Sequence, residues 1–256
     1  ANAFEALITP RTKAIIVCNP SNPTGKVYLR PALEKLRDLA LAHDLYLYAD
    51  EAYAAFTYDD VRHTSILALE GLQQHAILMD TVSKRFSACG ARLGALITHN
   101  QAVYQAALRA AQGRLSPPAL EQVGVEALLD LPESYYEEMR GEYQHRRDVV
   151  LRRLQAIEGV LAPKVAGAFY VMAELPVGDA EHFAQWLLEH YEDEGETVMV
   201  APAAGFYLTP GMGLKEIRIA YVLEEPALER AMDLLEGALA RYQATHPVDM
   251  PVRPNA

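Results

Sequence analysis

Short apolar, β-rich runs alternate with helix-patterned stretches through the first hundred residues, and this alternation constrains the chain more than any other feature. It is the pattern of crossover units wound around a mainly parallel, buried sheet. Ala14 to Cys18 (AIIVC) is the first run, and it stops at Asn19-Pro-Ser-Asn22-Pro-Thr-Gly25, a turn-rich cluster that no strand or helix continues through. Pro31 then opens a helix to about His43, with Leu33, Leu36 and Ala40 on one face. Further strands are predicted at 45–50 (LYLYAD), 76–80 and 93–98. The stretch TVSKRFSACGAR before the last of them is polar and glycine-interrupted, and reads as a loop. Ligands of open α/β sheets sit at the carboxyl ends of the strands, so the NPTG turn, Asp50 and the loop bearing Lys84 are expected to face one crevice.

The grain changes near Ser116, where SPPALEQ breaks a helix. Ser134-Tyr-Tyr-Glu137 has the form of a capping box for a long helix reaching about Ile157, and a domain junction is expected inside that helix. Strand-like runs follow at 168–175, 197–201 and 217–222, with a helix from Asp179 to about His190. A final helix keeps Leu228, Ala231, Met232, Leu235, Leu239 and Tyr242 on one face. The expected division is 1–140, 141–245 with mixed α+β character, and a frayed tail at 246–256.

Charge and composition exclude several functions. The net charge of −11 disfavours a grip on nucleic-acid backbones or anionic membranes, and no apolar run is long enough to span a bilayer. Neither a nucleic-acid nor a membrane partner is expected. Cys18 and Cys89 make no CxxC pair, and the eight histidines form no HExxH, so no metal site is predicted and a reducing, cytoplasmic setting is. GxGxxG, GxxxxGK[ST] and GxSxG are all absent.

Taken singly, the polar residues of the crevice are unremarked: Lys84 is a surface charge, Asp50 and Asn22 are turn formers, and Tyr53 is a packed aromatic. Arg218 is different, because in the apolar run IRIAYV an arginine must either snorkel outward or meet an anion. In combination and in order, Asn19–Gly25, Asp50-Glu-Ala-Tyr53, Ser83-Lys84 with Arg92 in GARLG, GAFYV at 167–171 and Arg218-Ile-Ala-Tyr221 resemble the class I/II aminotransferases, fold type I pyridoxal-phosphate enzymes, over about residues 10–242.

The resemblance implies an α/β large cofactor-binding domain, of which 1–140 is the remainder, and a smaller α+β C-terminal domain. It implies pyridoxal 5'-phosphate as cofactor, with Lys84 forming the Schiff base and shuttling the Cα proton. Asp50 would pair with the pyridine nitrogen and make the ring a better electron sink. Asn22 and Tyr53 would bond the 3′-oxygen, with Asn22 also on the substrate side. Thr81, Ser83 and Arg92 would hold the phosphate, for which a planar guanidinium is suited. Arg218 would take the substrate α-carboxylate. The implied activity is transfer of an amino group, with aspartate as donor, to a 2-oxo acid by a ping-pong route through pyridoxamine phosphate, in a homodimer.

Only 21 residues precede Asn22, far fewer than the family carries there, so the chain reads as a C-terminal fragment, expected to expose a sheet edge and apolar faces. Two other readings stay open: a β-lyase or decarboxylase of the same fold, and a non-catalytic effector-binding domain of a regulator.

Overall fold

The computed structural model describes residues 2–247; the part of the predicted frayed tail from 248 on lies outside the described residues. The chain forms two compact units. The first comprises residues up to Asn22, Lys26–Arg140 and Ala166–Ala168, and the second Pro23–Gly25, Gly141–Val165 and the chain from Phe169 on.

In the first unit the order is α1 (Asn2–Glu5), β1 (Ala14–Cys18), α2 (Arg30–Ala42), β2 (Tyr46–Asp50), β3 (Ala76–Thr81), α3 (Val82–Arg85), β4 (Gly94–Ile97), α4 (Gln101–Arg114), α5 (Ala119–Glu126) and the first turns of α6 (Glu133–Ala156). The sheet runs β1-β2-β3-β4, with the first three strands parallel and β4 antiparallel to β3. This is the mainly parallel α/β sheet that the alternation predicts. Leu33, Leu36 and Ala40 of α2 bury against Ile15, Val17, Leu47 and Ala49 of the sheet. The other side of β1 is open, with Ile16 70% exposed, so this strand alternates instead of being buried on both faces. The stretch read as loop before β4 contains the single helical turn α3 and a 3₁₀ turn at Cys89–Ala91.

Ala166–Ala168 packs as part of the first unit. The Tyr58 N–H donates to the Ala166 carbonyl and the Ala168 N–H to that of Phe56, each at 3.0 Å. A Cβ on Gly167 would lie 2.7 Å from Val27 Cγ2 and 2.8 Å from both the Phe56 carbonyl oxygen and Pro20 Cβ. Backbone cannot yield as a side chain can, so Gly167→Ala is expected to destabilise the protein by about 3 kcal/mol, the upper end of ordinary overpacking. Urea unfolding checks this, and a loss below about 0.5 kcal/mol would mean that the close approach relaxes freely.

The second unit holds the rest of α6, then β5 (Tyr170–Glu174), α7 (Ala180–His190), β6 (Ala201–Pro202), β7 (Glu216–Ala220) and α8 (Glu225–Thr245). Its sheet is antiparallel in the order β5-β7-β6. Asp179 caps α7, its side chain accepting the N–H groups of Glu181 and His182. Arg153 of α6 ties to Glu229 and Asp233 of α8 at 2.6 and 2.5 Å.

Two local expectations are corrected here. The run 197–201 is a strand only at its end, where Ala201 and Pro202 pair with Arg218 and Ile217; Met199, 78% exposed, has no core to face. α6 begins at Glu133, so Ser134 lies inside the first turn instead of capping it. Among the described residues no helix is long and apolar enough to cross a membrane, and no cluster of metal-ligating side chains occurs.

Candidate active site

The parallel register brings the chemistry-bearing residues of the first unit to one edge of its sheet. Cys18 pairs with Asp50 and Asp50 with Met79, so the carboxyl ends of β1, β2 and β3 lie side by side. The NPTG turn leaves the first, Asp50 ends the second, and Thr81 ends the third immediately before α3. β4 runs the other way and pairs Gly94 with Thr81, which returns the segment bearing Arg92 to the same edge.

One Asp50 oxygen accepts the Ala52 N–H at 3.0 Å, fixing the carboxylate to the turn that follows β2. Tyr53, on that turn, is buried. Lys84 sits on α3, with Nζ 6.0 Å from the centroid of the Tyr53 ring. Thr81 caps α3: its Oγ1 accepts the Ser83 N–H at 3.1 Å and lies 2.8 Å from the Ser83 hydroxyl and 2.9 Å from the Leu93 carbonyl. The Thr81 hydroxyl is the donor toward both, so its one proton is shared between the Ser83 Oγ and the Leu93 carbonyl. Arg85 pairs with Asp80 at 2.6 Å. Arg92 has positive φ and is exposed, its guanidinium donating to the Cys89 carbonyl at 2.8 Å.

Asn22 is held by its N–H on Cys18 Sγ at 3.5 Å, and the Cys18 thiol donates to the Pro20 carbonyl at 3.3 Å. Burial pushes this thiol upward; the Asn22 N–H opposes that and the Asp50 charge adds to it, so it stays protonated. A hollow of about 690 Å³ takes in Thr81, Arg85, Phe86 and Leu93 but not Lys84, Asp50 or Tyr53. The site is therefore marked by convergence of side chains at strand ends and not by this cavity.

Three further residues escape the sequence reading. Asn19 is buried; its N–H donates to the Asp50 carbonyl at 2.9 Å, and its side chain accepts the Tyr28 N–H and donates to the Tyr28 carbonyl. Glu51, 4% exposed, accepts the Ile66 N–H at 2.9 Å and lies 3.5 Å from His63 Nε2. Burial pushes its carboxyl up to about 7, against the lowering hydrogen bonds from Ile66 and Ser65, and pushes the His63 imidazole down. An acidic residue beside Asp50 was the available signal, but His63 carries no sequence spacing that marks it.

In the second unit Arg218 lies on β7 within an apolar strand, as expected from the sequence. Its guanidinium carbon is 4.8 Å from the Tyr170 ring and 5.0 Å from that of Phe206. The charge thus lies against two aromatic rings rather than snorkelling freely.

The chain matches the family model described as "Aminotransferase class I and II" over residues 1–235. It is 33% identical over 240 residues to aromatic-amino-acid aminotransferase 2 of Thermococcus litoralis, covering 92% of this chain and 59% of that protein. It is 32% identical over 242 residues to an aspartate aminotransferase of Pyrococcus abyssi, with 93% and 60% covered. The solved structure of an aromatic aminotransferase from Pyrococcus horikoshii superposes with a TM-score of 0.84 at 30% identity, over 94% of this chain and 64% of that one. The chain thus spans about 60% of the length of the curated relatives it matches.

Proposed function

Because this chain belongs to the class I and II aminotransferase family, we propose that the protein carrying it is a pyridoxal-phosphate-dependent aminotransferase that moves an amino group from an amino acid, aspartate first among them, to a 2-oxo acid. The observation that supports this most is Lys84 on the helical turn directly after β3, its amine 6.0 Å from the Tyr53 ring, on the sheet edge where Asp50 ends β2.

The donor set fits a phosphorylated pyridine aldehyde: a carboxylate for a ring nitrogen, a primary amine for an aldehyde, hydroxyls and a guanidinium for a phosphate. Asp50 would hold the protonated pyridine nitrogen, Asn22 and Tyr53 the ring oxygen, and Thr81, Ser83 and Arg92 the phosphate. Pyridoxal phosphate, when bound, supplies an electron sink conjugated to the substrate's Cα. Lys84 Nζ takes the proton from Cα and returns it on the far side of the transfer, acting as general base and then as general acid. Arg218 would bind the α-carboxylate in two parallel hydrogen bonds, its guanidinium lying against the Tyr170 and Phe206 rings. By the same family resemblance the working form is a cytoplasmic homodimer, which sedimentation of the complete protein measures.

Aspartate with 2-oxoglutarate should yield oxaloacetate and glutamate, with parallel double-reciprocal plots as the mark of two half-reactions. Pyruvate and ammonia without glutamate would replace this reading with a lyase, and no cofactor binding would replace it with an effector module. Arg218→Lys is expected to raise the KM for the amino acid about tenfold or more while kcat falls less, since lysine keeps the charge but loses the paired geometry. Unchanged KM would remove Arg218 from carboxylate binding.

A further inference from the structure

We propose that Asp80 and Tyr135 are positioning residues for Lys84: they grip the single helical turn α3 at its two ends and so hold its amine where the cofactor's aldehyde is received. This rests on the reading of Lys84 as the amine that engages pyridoxal phosphate.

A helix of four residues has no stability of its own, because nucleation fixes several dihedral angles for one hydrogen bond. Its terminal N–H and C=O groups also lack partners within the turn. The direction of whatever α3 carries is therefore set by the groups that hold it from outside. Thr81 is one of them, accepting the Ser83 N–H at the front of the turn. Asp80 is a second, and it spans the turn. One of its oxygens accepts the Thr81 N–H at 2.7 Å and the other accepts the Arg85 guanidinium at 2.6 Å. A single carboxylate thus ties the residue before α3 to the last residue in it, and Lys84 lies inside that closure. The two side chains are only 25% and 27% exposed, so this pair is better shielded from water than a surface ion pair.

The far end is held from a distant segment. The Lys84 carbonyl accepts the Ser87 N–H, and the Arg85 carbonyl accepts the Tyr135 hydroxyl, each at 3.1 Å. Tyr135 stands in the first turns of α6, and aromatic contacts continue from there. Its ring meets that of Tyr136 edge-on at 5.3 Å, and Tyr136 lies 6.4 Å from Phe86, the residue that follows α3. Arg85 is thus held through its side chain by β3 and through its main chain by α6. Lys84, one residue earlier, shifts only if both ties give way. Phenylalanine at 135 would make the same ring contacts; what the hydroxyl adds is the bond that fixes the end of the turn.

The test uses the complete protein with Tyr135→Phe and Asp80→Asn. In the cofactor-free protein, both variants should shift the amide resonances of Lys84 and Arg85 and speed hydrogen exchange at the Ser87 amide. The dissociation constant for pyridoxal phosphate should weaken about threefold in Tyr135→Phe, which loses one neutral hydrogen bond, and about tenfold in Asp80→Asn, which loses a charge-assisted one. In turnover kcat should fall by about the same factors while the KM for the amino acid stays within about twofold, since α3 carries the amine and not Arg218. At saturating cofactor the borohydride-trapped adduct on Lys84 should still form, because these residues position and do not react. Tyr135→Phe removes one oxygen atom, so it carries the test should Asp80→Asn fail to fold. Unmoved Lys84 and Arg85 amides with wild-type affinity and kcat overturn the proposal, as does a loss of thermal stability that leaves affinity and kcat unchanged. A wild type whose adduct falls on another lysine overturns the reading of Lys84 instead, and the proposal with it.

Discussion

Replacing Lys84 with alanine is expected to lower amino-group transfer by at least about 10³-fold, because one side chain supplies both the covalent attachment and the proton transfer at Cα. Lys84→Arg should lose nearly as much: arginine keeps a positive charge on α3 but cannot give up a proton or attack a carbonyl at ordinary pH. Equal losses in both variants would separate chemistry from electrostatics. The fold should tolerate either change, since Lys84 is only half-buried and lies in a single-turn helix capped by Thr81. Steady-state kinetics with circular dichroism as a fold control makes the measurement, and a variant retaining a tenth of the rate would contradict the assignment.

The second large effect concerns stability against pH. Glu51 holds its proton to about pH 7 in the folded chain, whereas the ordinary glutamate value is 4.5. The folded state therefore binds the extra proton between these limits, so stability from this group is fully present below pH 4.5 and lost as the pH rises through 7. The loss amounts to about 3 kcal/mol across the window. His63 acts in the opposite sense. Its folded value lies below the ordinary 6.5, so stability is regained as the pH rises toward 6.5, and above that only the Glu51 slope remains. Unfolding free energies from about pH 5 to about pH 8 should fall at the upper end for the wild type and stay flat there for Glu51→Gln. Parallel curves would show that Glu51 titrates normally in the folded protein.

The frame of the molecule was legible because periodicity reports burial. Leu33, Leu36 and Ala40 mark the inward face of α2, and AIIVC marks β1, since both must bury apolar surface against the same core. The run 197–201 has the same β-branched signature, yet only its last residue pairs, because strand propensity says nothing about whether a neighbouring strand is within reach. At the site, Asp50, Tyr53 and Lys84 were visible through their order along the chain, and the parallel register accounts for their shared edge. Asn19, Glu51 and His63 were not. Their contacts join segments far apart along the chain, Asn19 to Asp50 and Glu51 to Ile66 and His63, and no spacing rule encodes them. Asn19 in particular reads as an ordinary turn residue until its two hydrogen bonds with Tyr28 are seen.

The central claim is that the amine of Lys84 is the one that engages the cofactor's aldehyde. Borohydride treatment of the complete protein with pyridoxal phosphate, followed by peptide mass mapping, tests it most directly. The account predicts a single stoichiometric adduct on the peptide containing Lys84, lost on prior addition of substrate amino acid. An adduct placed instead on Lys26, Lys164 or Lys215, or spread over several lysines, would contradict it.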